Sequence, residues 1–188
     1  MFCLERRARV EFKLIGESSS SCLTNFKSLS MVILVCGSMK EDYAFIIMIR
    51  DKWWREFCRF AIEGRKVHSY VQGGWAPPKS ASLMFFYVAK PIRQIAGYAE
   101  FIERKVGEAR ALWKEHGSES VLSSEGKYLE FVKDKERVSF IRFKNLHEAA
   151  EPIPLSNVLM LLGMKRLSRK GFYVDKETAD KLQTLMKC

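Results

Sequence analysis

The 188-residue chain is poor in the residues that build covalent or metal-held scaffolds. Its cysteines number five, an odd count, and Cys3, Cys22, Cys36, Cys58 and Cys188 form no C-x-x-C pair. That spacing argues against a secreted disulfide framework and against a zinc site. His68, His116 and His147 are scattered without ligand spacing. The expectation is a reducing, cytoplasmic setting with no metal and no cofactor. Long apolar runs are also missing. Met31–Cys36, the longest near the start, falls far short of the roughly 20 residues that a membrane span needs. Arg6, Arg7 and Arg9 are separated from that run by serines, which is not the order of a secretory leader. The chain contains no P-loop, no Gly-x-Ser-x-Gly and no carboxylate–histidine motif, so no catalytic residue is assigned from motifs.

What is present describes a folded, basic chain. Hydrophobic residues make up 47% and charged residues 29%, the balance of a globular protein rather than a disordered one. The formal net charge is +10, from 32 basic against 22 acidic side chains. Residues 41–188 keep 26 basic against 19 acidic, so the surplus is not confined to the N-terminal stretch. A surplus of this sign favours polyanionic partners, though it does not by itself separate them from simple solubility.

Two regions differ along the chain. Residues 1–38 carry the serine run Ser18–Ser21 between segments with no sustained period, and read as a poorly ordered extension. An upstream start codon, with Met31 or Met39 opening the functional chain, would account for the same feature. Residues 39–188 read as one domain. Ala44–Ile49 is a short apolar, β-branched run and predicts a buried strand. Asp51 is expected to cap a helix over 52–63, where Trp53, Phe57, Phe60 and Ala61 recur at helical spacing, with Gly64 as its stop. Strands are expected over 66–71, 82–89, 94–103 and 137–143, and short helices over 108–116, from a cap at Ser123, over 156–162, and from a cap at Asp175. Short strands mixed with helices suggest a compact α+β barrel.

Three features carry candidate chemistry. Trp75 lies in Gly73-Gly74-Trp75-Ala76-Pro77-Pro78, where glycines free the backbone and prolines stiffen it. An indole presented there could stack on a base, worth about 1–3 kcal/mol per base, or fold back as a lid on the barrel. The segment from Lys165 to Tyr173 is the densest basic patch. Its cations Lys165, Arg166, Arg169 and Lys170 precede the aromatics Phe172 and Tyr173. Cations so spaced can neutralise phosphates and make affinity salt-dependent; an ordinary solvated loop before a core strand is the alternative. Trp53, Trp54 and Phe57 read as helix-packing residues, although adjacent tryptophans cannot both face one direction.

The order of elements also resembles a known family. Gly64-Arg65-Lys66, running from a helix into a strand, resembles the Gly-x-Lys signature of the ASCH group of PUA-like domains. Leu83–Glu100 is similar to that family's central hairpin, in which a strand ending near a proline precedes one ending Gly-x-Ala. The closing segment to Tyr173 resembles archaeal PUA-like proteins. The resemblance spans roughly residues 43–175. It implies a mixed β-pseudobarrel with peripheral short helices, and RNA as partner, with a modified base among the ligands such folds read. It also points to Lys66 as a cation at the barrel mouth. One departure matters: where the family pattern continues with an acid and an arginine, this chain has Ser69 and Val71. Without that carboxylate to position water, the resemblance implies binding rather than hydrolysis. The nucleic-acid-binding set is thus Lys66, Trp75, Lys165, Arg166, Arg169 and Lys170. A small nuclease or nucleoside amidohydrolase using Lys66, and a protein-interaction domain with an acidic partner, are the alternatives.

Overall fold

A computed structural model describes residues 43–133 and 135–186. The expected extension over 1–38, and both candidate start positions, lie outside the described residues. Six strands and five α-helices alternate in the order β1 (Ala44–Ile49), α1 (Asp51–Ile62), β2 (Val67–Gly73), β3 (Leu83–Val88), β4 (Gln94–Glu108), α2 (Ala109–His116), α3 (Glu125–Val132), β5 (Arg137–Pro154), α4 (Leu155–Leu162), β6 (Phe172–Val174) and α5 (Lys176–Met186). The strands form one sheet in the order β2-β5-β4-β3-β1-β6. Only β1 and β3 run parallel; every other neighbouring pair is antiparallel.

The sheet is covered on both faces, which explains why β1 and β3 read as unbroken apolar runs instead of alternating. Phe45, Ile47 and Ile49 of β1 join Met84, Phe86 and Val88 of β3 beneath Trp54 and Phe57 of α1. The other side chains of the same strands, Ala44, Ile46, Phe85 and Tyr87, meet Val158 of α4 and Ala179, Leu182 and Met186 of α5. A third cluster packs Ala109, Leu112, Tyr128 and Val132 of α2 and α3 against Val138 and Phe140 of β5. In β5 the sequence sets Phe140 and Ile141 in competition for one core face. Both are buried, each on its own side.

Two long strands curl the sheet. β4 and β5 extend well past the expected ends at 103 and 143, and their register shifts three times along the pair. Such bulges bend a strand and increase its twist. Gly97 sits at one of these irregularities because a Cβ there would collide with the His147 carbonyl and lie 2.7 Å from the Trp54 ring. The close approach expected at that glycine is therefore made by a tryptophan of α1. Pro152 and Pro154 fall inside β5. They are tolerated because β2 pairs only with 138–144, which leaves the far end of β5 with β4 as its partner.

Two caps differ from expectation. Arg50, not Asp51, occupies the N-cap of α1, and Asp51 lies inside the first turn, paired with Arg55 at 2.8 Å. Ser124, one residue after Ser123, caps α3 by accepting the Lys127 backbone N–H. Asp175 caps α5 as expected, accepting from Thr178 N at 2.8 Å.

Candidate nucleic-acid interface

The parallel pairing of β1 with β3 decides where charge collects. Ile49 stands opposite Val88, so both strands end at the same edge and pass directly into Arg50 and into Ala89-Lys90. The short link to β4 keeps Arg93 beside them, with φ at +58°, a left-handed backbone uncommon for a side chain of this size. The Leu155 N–H donates to the Arg93 carbonyl at 2.9 Å, and Pro154 pairs with Gln94. These contacts start α4 at the same edge, and the loop after α4 returns the basic segment to it.

The result is an open groove of about 780 Å³. Its walls carry six cations, Arg50, Lys90, Arg93, Lys165, Arg166 and Arg169. Met48, Tyr87, Leu155, Leu159 and Leu167 supply apolar lining, and no carboxylate is among the described lining residues. Low-dielectric walls beneath charges of one sign focus their field and concentrate anions. Pairs of guanidinium forks within such a groove can also grip phosphate in bidentate fashion. The arrangement suits a chain of phosphates interleaved with apolar faces.

Of the sequence-predicted residues, Lys165, Arg166 and Arg169 lie together in this groove, while Lys170 is exposed beyond its lining. Lys66 and Trp75 are not part of it. They flank opposite ends of β2, whose seven residues span about 20 Å at the rise of an extended strand. Lys66 and Trp75 are therefore not neighbours. Sequence reasoning missed Arg50, Lys90 and Arg93. Each stands alone in the chain next to a strand end, and only strand order makes them neighbours.

Trp75 is 68% exposed. The loop that carries it is pinned: Ala76 N–H donates to Ser139 Oγ at 3.1 Å, Ser139 donates to the Gly74 carbonyl at 2.6 Å, and Lys79 N–H donates to the Tyr173 hydroxyl at 2.6 Å. The Arg104 guanidinium lies 5.5 Å from the indole centroid and donates to the Ala76 carbonyl at 3.0 Å. The indole is thus held outward on a stiff loop and does not close over the barrel.

A second polar cluster forms at the other end of β2. Ser69, Arg142 and Glu103 stand in register on β2, β5 and β4, one row across three strands. Glu119, in the turn after α2, reaches into this row. Ser69 donates to it at 2.6 Å, and Arg142 grips it with two bonds of 2.8 and 2.6 Å while also pairing with Glu103. Burial pushes the Glu119 carboxyl up, but the hydrogen bonds from Arg142 and Ser69 outweigh it and hold the group below its usual range. His68, beside Ser69, is pushed down to about 4 by burial and by Arg65, so it is neutral at pH 7. The carboxylate absent from the strand at Ser69 is therefore supplied through space by Glu119, which the sequence left without a partner. Ser69 is fully buried and its acid is neutralised by a guanidinium; the row is built as a lock. Lys66, next to it in sequence, is exposed.

Among the described residues, no group of three His, Cys, Asp or Glu is placed to hold a metal ion, and no helix is long and apolar enough to cross a membrane. No protein-family model matches the chain. A curated relative from Zymomonas mobilis, described as an ASCH domain-containing ribonuclease, is 24% identical over 132 residues, covering 70% of this chain and 87% of the relative. The crystal structure of the ASCH protein from Zymomonas mobilis superposes with a TM-score of 0.62 at 20% identity, covering 77% of this chain and 96% of that one. A serine-to-alanine variant of the same protein gives 0.64 at 19% identity, over 78% and 99%. The chain thus has the mixed α+β fold of these ASCH structures, the fold that the resemblance between Gly64 and Glu100 implied.

Proposed function

We propose that this protein binds single-stranded RNA along the groove between the β1–β3 edge and the loop after α4. The observation that carries this reading is the groove's composition: among the described residues its lining holds six cations, apolar side chains and no carboxylate. Such a surface matches a phosphate backbone on one side and unstacked bases on the other. The description of the Zymomonas mobilis relative as a ribonuclease agrees with RNA as the ligand class. Trp75, on its pinned loop beside Arg104, offers a separate stacking platform for a longer strand. The decisive experiment is a salt titration of binding to single-stranded RNA, duplex RNA and duplex DNA. Tight, steeply salt-dependent binding to the single strand is expected. Absence of binding to all three at low ionic strength refutes the reading.

A second reading, that the protein also cleaves the RNA it holds, is favoured by the relative's description. Lys66, exposed and three residues before Ser69 in the chain, is the candidate cation for it. Incubation with end-labelled RNA tests this reading. Discrete products lost in Lys66→Ala support cleavage; intact RNA after prolonged incubation removes it.

A further inference from the structure

A smaller recess of about 280 Å³ opens beside the groove and shares Arg50 with it. The two are joined a second time, because the Tyr70 hydroxyl donates to the carbonyl of groove-lining Met48 at 3.3 Å. Its walls come from three elements: Trp53 of α1, Tyr70 and Gln72 of β2, and Phe131 of α3. Trp53 is the hinge of this set, with its ring centroid 5.2 Å from Tyr70 and 4.9 Å from Phe131. Phe131 is 39% exposed although it sits at an aromatic cluster, so part of its ring is left without a protein neighbour. Gln72 adds an amide, and Gly73 removes a side chain at the rim.

We infer that this recess holds one unpaired nucleobase of the RNA whose backbone follows the groove, with Arg50 on the adjoining phosphate. The inference rests on the groove reading and extends it to a base-binding subsite. Three aromatic rings around a small recess offer stacking faces that every base can use, and a neighbouring amide can meet a base edge. A guanidinium common to both cavities can hold the phosphate that adjoins the stacked base. The sequence reading assigned Trp53 to helix packing; Trp54 alone takes that role fully, at 4% exposure, while its neighbour turns toward the recess.

The test compares binding of a short single-stranded RNA with that of a fully abasic strand of the same length, by fluorescence anisotropy at fixed salt. Wild-type protein is expected to prefer the intact strand by about tenfold, the scale of one stacked base. Phe131→Ala combined with Gln72→Ala should bring the two strands close to parity, while leaving abasic affinity and salt slope unchanged. Phe131→Tyr, which keeps the ring, should retain the preference, and thermal melts check that each variant folds. Equal binding of both strands by wild type, or a preference that survives in the double variant, overturns the recess as a base site and leaves the groove standing. Failure to bind either strand at low salt overturns the groove reading and the subsite with it.

Discussion

The two charged regions of this barrel use the same side chains to opposite ends. In the row Ser69–Arg142–Glu103, one guanidinium is shared by two carboxylates and a hydroxyl completes the set. At the β1–β3 edge, six cations line a groove with no carboxylate among the described residues of its walls. The first arrangement spends its charge internally and stiffens the sheet where β2, β5 and β4 meet. The second leaves its charge for an anion from solution. Basic character alone does not mark a binding surface; what matters is whether acidic partners are built in beside it.

Breaking the first region should mainly cost stability. Arg142→Met leaves part-buried Glu119 without its guanidinium and Glu103 with Lys105 alone, and should destabilise the fold by about 3 kcal/mol in urea titration. Affinity for RNA per folded molecule should be unchanged. Breaking the second region should do the reverse. Replacing Lys165, Arg166 and Arg169 with alanine should weaken single-strand binding about a hundredfold near 0.1 M salt and reduce the salt slope by about 2. Stability should shift by no more than about 0.5 kcal/mol, because the three side chains are exposed. Measuring both quantities on both variants tests the comparison directly; a groove variant that loses stability, or an Arg142 variant that loses RNA affinity, would blur it.

Acid sharpens the same contrast. Glu119 titrates below its unfolded value, so its contribution to stability is fully present above the unfolded carboxyl pKa, about 4.3. It is lost as pH falls through the depressed folded value. Thermal melts between pH 7 and pH 3 should show this loss, and Glu119→Gln should flatten it. The smallest stability effect is expected at Trp75→Ala, within about 0.5 kcal/mol because the indole is exposed. Trp54→Ala, in the core beside Gly97, should cost about 3–5 kcal/mol.

Local pattern was enough to find most elements. Ala44–Ile49 and Leu83–Val88 announce themselves because a strand buried on both faces must be apolar at every position. The Trp75 loop was legible because its glycine and proline content admits little else, and the basic segment because its cations are contiguous. Caps were missed by one residue at α1 and α3, since adjacent candidates, Arg50 or Asp51 and Ser123 or Ser124, differ only in backbone angles that sequence does not display. The full lengths of β4 and β5 were missed because their outer halves are amphipathic, charged and bulged, and carry no clean period.

The candidate site divides along the same line. By itself the sequence determined a basic chain with an α+β barrel order, an indole in a glycine- and proline-rich loop and a run of cations at 165–170. Those are properties of composition and of neighbours in the chain. The tertiary structure decided which cations act together. Parallel pairing of β1 with β3 brings Arg50 and Lys90 to one edge, and the bond from Leu155 to Arg93 carries the basic loop to the same place. It also moved a carboxylate to Ser69 from fifty residues away, and separated Lys66 from Trp75 by the length of a strand. Electrostatic focusing and ion pairing act over a few ångströms of space, and chain distance does not record that.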